Sequence, residues 1–163
     1  MKKVLALAAG VAALALVVAA CGARSTAATG PIMSSPTIGT RQVPGLGTIL
    51  VNAAGKALYV NDQDGNGMAS CNGTCAAVWP PLRATGTPTE KGVAGTLSLI
   101  RRSDGTSQVA LDGRPLYTFI ADHGSAVTGN GFRDHYGAQH FSWHVVPADG
   151  TTPPASASPS TGQ

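Results

Sequence analysis

Charged residues are scarce in this chain, and they do not cluster. Asp, Glu, Lys and Arg make up 12% of the 163 residues, and the longest basic run is Arg101-Arg102. A protein that binds nucleic acid through its phosphates presents a patch or stripe of Lys and Arg. The sequence therefore gives no sign of a nucleic-acid partner.

Common catalytic motifs are also missing. Serine and threonine are plentiful, but none lies in the G-x-S-x-G setting typical of an activated serine. The sequence contains neither the C-x-x-C pair of redox enzymes nor the C-x-x-C-H attachment of covalent haem. These gaps predict a protein that is not an enzyme.

The one long apolar run lies at the start of the chain. Residues 4–20 carry no charge, follow Lys2-Lys3, and are few for a membrane span. A basic start, an apolar centre and small residues before a cleavage point are typical of an export signal. Residues 1–20 are therefore predicted to be a signal peptide, whose removal lowers the formal charge from +3 to +1.

The residues around Cys21 resemble the lipobox of bacterial lipoproteins, because small residues precede this cysteine and Gly22 follows it. The resemblance implies cleavage before Cys21 and a diacylglycerol on its sulfur. The acyl chains would then hold the protein at the extracytoplasmic face of the cell membrane without spanning it. The alternative is an ordinary secretory signal with an incidental cysteine.

Two further segments are rich in Ser, Thr, Pro, Ala and Gly and lack any hydrophobic period. The first, residues 21–44, predicts a lipid-anchored flexible linker, and the second, residues 151–163, predicts a disordered tail. Residues 45–150 between them are predicted to form one small domain of ordinary size.

Part of that domain recurs 58 positions later in the sequence. The matching positions are residues 55–60 with 113–118, and Asp64 with Asp122. Both copies read Gly, a basic residue, any residue, Leu-Tyr, and then Asp nine positions after the Gly. Such self-similarity indicates one supersecondary unit used twice, with repeat 1 at about 47–82 and repeat 2 at about 96–150.

Short alternating stretches predict a mainly β fold, built from two pseudo-repeats of β-hairpins with long loops. The predicted strands are residues 48–51, 56–60, 96–101, 108–111, 115–120 and 140–146. Two polar, Gly-rich stretches, 61–70 and 123–139, are predicted to be loops. Aromatic residues make up only 5% of the chain, so those in the domain should supply most of the bulk of its core.

Cys71 and Cys75 are the thiols that remain once Cys21 carries lipid. A pair of cysteines in an oxidising compartment tends to form a disulfide, and Asn72-Gly73 supplies the chain reversal that brings their Cα atoms into range. Closing so small a loop contributes only about 2 kcal/mol in the chain-entropy interpretation. The alternative is a redox pair, or soft-metal ligands together with Met68 and a histidine.

The four histidines all lie in the last part of the domain and suggest a copper or zinc site. His140 and His144 would lie about 13 Å apart on one strand, too far to share an ion. A site is therefore predicted to combine His123, His135 and His140, with ordinary surface histidines as the alternative.

A second candidate metal site is the loop that begins at Asp62. Asp62, Asp64 and Asn66 spell the D-x-D-x-N-G opening of a calcium-binding loop. Its twelfth position is Gly73 in place of Glu, and no helices are predicted beside it. The alternative is a solvated turn. Apart from copper at the histidines or calcium at this loop, the sequence predicts no cofactor.

The strings GKALY, CNGTCAAVWPP, DGRPLYTF and WHVVP together resemble the bacterial lipoproteins that carry the "secreted repeat of unknown function". The resemblance covers about residues 47–150 and implies a lipid-anchored extracytoplasmic protein, without a set of catalytic residues. The predicted function is a non-catalytic binding or envelope-structural module, with an unknown envelope protein or small ligand as partner. The alternative is an extracytoplasmic redox or copper accessory that passes electrons or copper to a partner.

Overall fold

The computed structural model describes residues 37–151, which form a mainly β domain, as predicted. The elements of this part are β1 Thr37–Val43, β2 Gly47–Val51, β3 Tyr59–Asn61, α1 Thr74–Val78, β4 Thr89–Glu90, β5 Leu97–Arg101, β6 Ser107–Leu111, β7 Arg114–Pro115, β8 Arg133–Tyr136 and β9 Gln139–Val145. The strands lie in three small sheets, with the orders β2-β1-β4, β3-β9-β8 and β5-β6-β7. Within residues 37–151, no helix reaches the length and apolarity that crossing a membrane requires.

The fold begins before the predicted domain boundary. β1 pairs antiparallel with β2, and its Ile38 is fully buried, so the prediction of a flexible linker to residue 44 is wrong from Thr37 onward. Most residues of β1 are Thr, Gly, Arg or Gln. Because these residues are also typical of a linker, the composition did not indicate a strand. The predicted signal peptide, Cys21, and the tail after Thr151 lie outside the described residues.

In the second repeat the predicted strands 96–101, 108–111 and 140–146 are confirmed, whereas the predicted strand 115–120 is reduced to the two residues of β7. β5, β6 and β7 form the antiparallel meander, and β9 buries Phe141, Trp143 and Val145 on one face. The predicted loop 123–139 is wrong in part, because it contains β8, which pairs with β9 across a two-residue turn. β8 was hidden because its residues, Arg-Asp-His-Tyr, include no aliphatic side chain.

Each repeat contains the same three parts. The hairpins are β1–β2 and β5–β6; we call residues 57–60 and 115–118 the tyrosine segments, and residues 79–84 and 143–148 the tryptophan segments. The two tyrosine segments meet at the centre of the domain. There Tyr59 and Tyr117 each donate a backbone N–H to the carbonyl of the other, at 2.9 Å.

The tryptophan segments are exchanged between the repeats. The segment at 143–148 lies against repeat 1, because Val146 donates its N–H to Leu58 at 2.9 Å and accepts from Leu50 at 2.8 Å. Further along the same segment, Ala148 donates its N–H to the carbonyl of Thr48 at 2.9 Å.

The first tryptophan segment makes the same contacts with repeat 2. Leu82 donates its N–H to Leu116 and accepts from Val109, both at 2.8 Å, and Ala84 donates to Ser107 at 3.2 Å. The two repeats are therefore interlocked by an approximate two-fold relation, and each supplies a strand that the other lacks.

The central strands are buried on both faces. Leu58 and Val60 face an aliphatic cluster and Tyr59 faces an aromatic one, which confirms the predicted alternation. The aromatic cluster contains Tyr59, Trp79, Tyr117, Phe119, Phe141 and Trp143, together with the two cysteines. Most of the few aromatic residues of the chain therefore lie in this one cluster.

Candidate functional site

Each repeat's aspartate is hydrogen-bonded to the tyrosine of the other repeat. The Tyr59 hydroxyl donates to Asp122 at 2.6 Å, and the Tyr117 hydroxyl donates to Asp64 at 2.5 Å. All four side chains are buried. The residues that mark the repeat in sequence are thus joined across the approximate two-fold axis.

The same aspartates hold the start of the loop in their own repeat. Asp64 accepts the N–H of Ser70 at 2.6 Å, and Asp122 accepts the N–H of Thr128 at 2.8 Å, both six residues further on. The offset of 58 continues to Asn72-Gly73 and Asn130-Gly131. The sequence repeat therefore extends beyond the aspartates to these two Asn-Gly pairs.

A single carboxylate, Asp134, joins the two tryptophans. It accepts the indole N–H of Trp79 at 2.7 Å and that of Trp143 at 2.9 Å, one on each oxygen. The indole rings stack, with centroids 3.9 Å apart and planes 7° from parallel. The Tyr136 hydroxyl donates to the same carboxylate at 3.1 Å. Sequence analysis missed Asp134 because it lies in β8, which was predicted to be a loop.

The tryptophan pair is packed from several sides. Phe119 stacks on Trp79 with centroids 4.1 Å apart, and Tyr59 meets the same indole edge-on at 5.4 Å. Gly129 lies so close that a Cβ atom there would be 2.8 Å from the Trp79 ring. The core is therefore closely packed around the indoles, as is usual in protein interiors.

All three tyrosines of the chain have a raised pKa. Burial is the largest cause for Tyr59 and Tyr117, and the neighbouring Asp122 or Asp64 carboxylate adds to it, so that each pKa lies well above 10. Burial and Asp134 raise the pKa of Tyr136 to about 12. The phenolic protons are consequently held in place by the fold.

We expect the protein to lose stability steeply above pH 10. The folded state keeps the phenolic protons of Tyr59 and Tyr117 where the unfolded chain, with tyrosine pKa near 10, releases them. Their stabilisation is complete below that pH and falls above it, by about 3 kcal/mol per pH unit for the two together. Urea unfolding at pH 8, 10 and 11 measures the loss, and tyrosinate absorbance should rise only on unfolding. Ordinary titration near pH 10 in the folded protein would contradict this.

The predicted disulfide between Cys71 and Cys75 is present, with sulfurs 1.95 Å apart and Cα atoms 5.2 Å apart. Both residues are buried in the aromatic cluster. The guanidinium of Arg102 donates to the Cys71 carbonyl at 2.7 Å and to the Asn72 side chain at 2.8 Å. The bond therefore shapes a loop that repeat 2 also holds, and its sulfurs are not free thiolates.

The two aspartates of the predicted calcium loop accept hydrogen bonds from other parts of the protein. Both oxygens of the buried Asp64 accept hydrogen bonds from protein donors, and Asp62 accepts the N–H of Ser142 at 2.8 Å. Asn66 lies in an exposed turn with a positive φ of 53°. The two aspartates thus have structural roles in the fold, and the calcium site stays a prediction.

The structure brings together two of the three histidines predicted to bind a metal. His135 and His140 are paired across the β8–β9 hairpin, with ring centroids 5.7 Å apart. His123 lies exposed in the preceding loop. Within residues 37–151, no group of three or more His, Cys, Asp or Glu side chains could hold a metal ion, so the predicted three-histidine set is not assembled.

An open groove of about 680 Å³ lies where the long loops of the two repeats meet. One wall is the disulfide loop and the other is the tip of the β8–β9 hairpin. The lining includes Met68, Asn72, Thr74, Tyr136 and Gln139. Met68 is 70% exposed, which leaves an apolar side chain available beside neutral polar groups.

The fold and these contacts define a disulfide-bonded β module made of two interlocked repeats. The family described as "Secreted repeat of unknown function" matches residues 40–83 and 98–146, more than half of the chain. The chain belongs to that family, which confirms the resemblance and the two repeats, and the word "secreted" indicates an extracellular or extracytoplasmic location. No curated protein and no solved structure gives a significant match.

Proposed function

We propose that this protein is a lipid-anchored, non-catalytic module of the cell envelope that binds a partner or ligand through its loops. The observation that supports this most directly is the use made of the repeated residues. The tyrosine and aspartate that define each repeat are buried and bonded to each other across the repeats. The tyrosine hydroxyls and aspartate carboxylates of the repeat thereby stabilise the fold.

The loops are then the surface that remains for recognition. Neutral side chains such as Asn72, Thr74 and Gln139 line the groove between them, and they can donate and accept hydrogen bonds without a strong charge preference. A small number of polar groups in a concave site is the usual arrangement for orienting a ligand. An envelope protein or a small neutral ligand is the partner that this surface fits.

The proposed anchor is Cys21, which lies 16 residues before the start of β1 at Thr37. A fully extended chain of this length spans at most about 55 Å. Anchored in this way, the module stays at the extracytoplasmic face of the membrane, where envelope components can reach its groove.

The anchor is tested by Cys21→Ser, with Ser25→Ala as a matched control in the same segment. We expect the parent protein and the control to partition into detergent and to carry the mass of acyl chains on residue 21. We expect Cys21→Ser to lack that mass. An unacylated parent protein in the aqueous phase would refute the anchor, and turnover of a substrate by the purified protein would refute the non-catalytic role.

A metal accessory is the second candidate, and one observation favours it: the exposed pair His135 and His140. The pair Cys71 and Cys75 adds nothing to this candidate, because both sulfurs are buried in a disulfide. The candidate therefore depends on the histidines alone.

A further inference from the structure

We propose that His135 and His140 form a two-histidine binding site for a divalent transition-metal ion, Cu²⁺ or Zn²⁺, on the exposed face of the β8–β9 hairpin. This goes beyond the anchored module proposed above and does not depend on the lipid. Both side chains are exposed, so an ion can reach them from solvent.

The hairpin fixes the spacing of the two rings. Tyr136 and Gln139 close a two-residue turn, and the next pair along the ladder is His135 with His140. Gly137 supplies the positive φ, 65°, that such a turn requires. Pairs alternate along an antiparallel ladder, so the pair after the closing one is of the closer, non-hydrogen-bonded kind. The register therefore holds the two imidazoles side by side.

The distance between the rings suits one shared ion. A metal lies about 2.0–2.1 Å from an imidazole nitrogen, so two rings that share it keep their centroids within about 6.5 Å. The observed centroid distance is 5.7 Å, with the planes 34° apart. The observed separation therefore lies within the limit for one ion held by one nitrogen of each ring.

The ring nitrogens of both histidines are accessible, and the strand beneath them is held in place by the core. Among the described residues, neither histidine ring has a hydrogen-bond partner, so all of their nitrogens are available to a metal. On the opposite face of the hairpin, Asp134 is held by both indoles and by Tyr136. The strand that carries His135 is thus fixed to the core through the adjacent residue, which limits the ordering that binding requires.

The donor set indicates the class of ion. Two neutral imidazoles without a carboxylate suit copper, zinc or nickel, and Cu²⁺ binds most tightly among the divalent ions of this series. Arg133, exposed two positions from His135 on the same strand, opposes binding of a cation. Water would complete the coordination, so the site is suited to an exchangeable ion.

The tryptophans provide the measurement, because the chain contains only Trp79 and Trp143 and both contact Asp134, next to His135. We expect CuCl₂ to quench the tryptophan fluorescence of the detergent-purified full chain at one equivalent, and ZnCl₂ to reverse the quenching by competition. His135→Gln and His140→Gln should each weaken Cu²⁺ binding by about tenfold or more. His123→Gln, an exposed histidine outside the hairpin, should leave it unchanged.

Equal quenching in the parent protein and in both hairpin variants would overturn the proposal, as would an equal loss in His123→Gln. Near-UV circular dichroism without metal shows whether each variant keeps the native core. Cys21→Ser protein should bind Cu²⁺ as the parent does, so failure of the lipid anchor and failure of the metal site give different results.

Discussion

Neither repeat is expected to fold when it is produced alone. In each repeat, the strand beside the tyrosine segment is the tryptophan segment of the other, and the partner of each buried tyrosine is the other repeat's aspartate. A separated repeat would expose these backbone groups and leave a buried carboxylate without its donor. A domain of about 50–65 residues that also loses half of its core is too small to compensate.

The experiment divides the chain in the exposed stretch after Gly86. Residues 37–86 and 87–151 produced separately should give the narrow amide dispersion of unfolded chains in two-dimensional NMR. Produced together, they should copurify as a one-to-one complex with the spectrum of the intact domain. A folded, monomeric single repeat, shown by light scattering, would contradict this expectation.

The repeat and the buried faces of its strands could be predicted from sequence, because both depend on local patterns. Leu58 and Tyr59 alternate, and the same Leu-Tyr recurs at residues 116–117. The exchange of tryptophan segments could not be predicted. A repeat in sequence shows that a unit is used twice, but the pairing of a strand with its own or the other copy depends on the path of the connecting loops.

The candidate sites were only partly predictable for a related reason. His135 and His140 were suspected as ligands from residue type alone, but their pairing required β8, a strand without aliphatic residues. Asp134 was not suspected at all, since an isolated aspartate in a polar, Gly-rich stretch is typical of a loop. Its role depends on Trp143, nine residues later, and on Trp79, 55 residues earlier, and no local pattern indicates that one carboxylate joins them.

Asp134→Ala is expected to destabilise the fold strongly. It would leave the indole N–H groups of Trp79 and Trp143, both fully buried, without an acceptor. An unsatisfied buried donor costs about 1–3 kcal/mol, so we expect the free energy of unfolding to fall by about 3 kcal/mol or more. Loss of the Tyr136 contact adds to this by loosening β8.

Urea unfolding followed by near-UV circular dichroism measures both the stability and the packing of the indole pair. Asp134→Asn distinguishes the causes, because its amide oxygen can serve one indole while its NH₂ group faces the other. It should therefore lose less stability than Asp134→Ala. Asp149→Ala removes an exposed aspartate bonded only to Thr151, and it should change stability by less than about 0.5 kcal/mol. If Asp134→Ala were as mild as this control, the carboxylate would not be what holds the two tryptophans together, and stacking alone would do so.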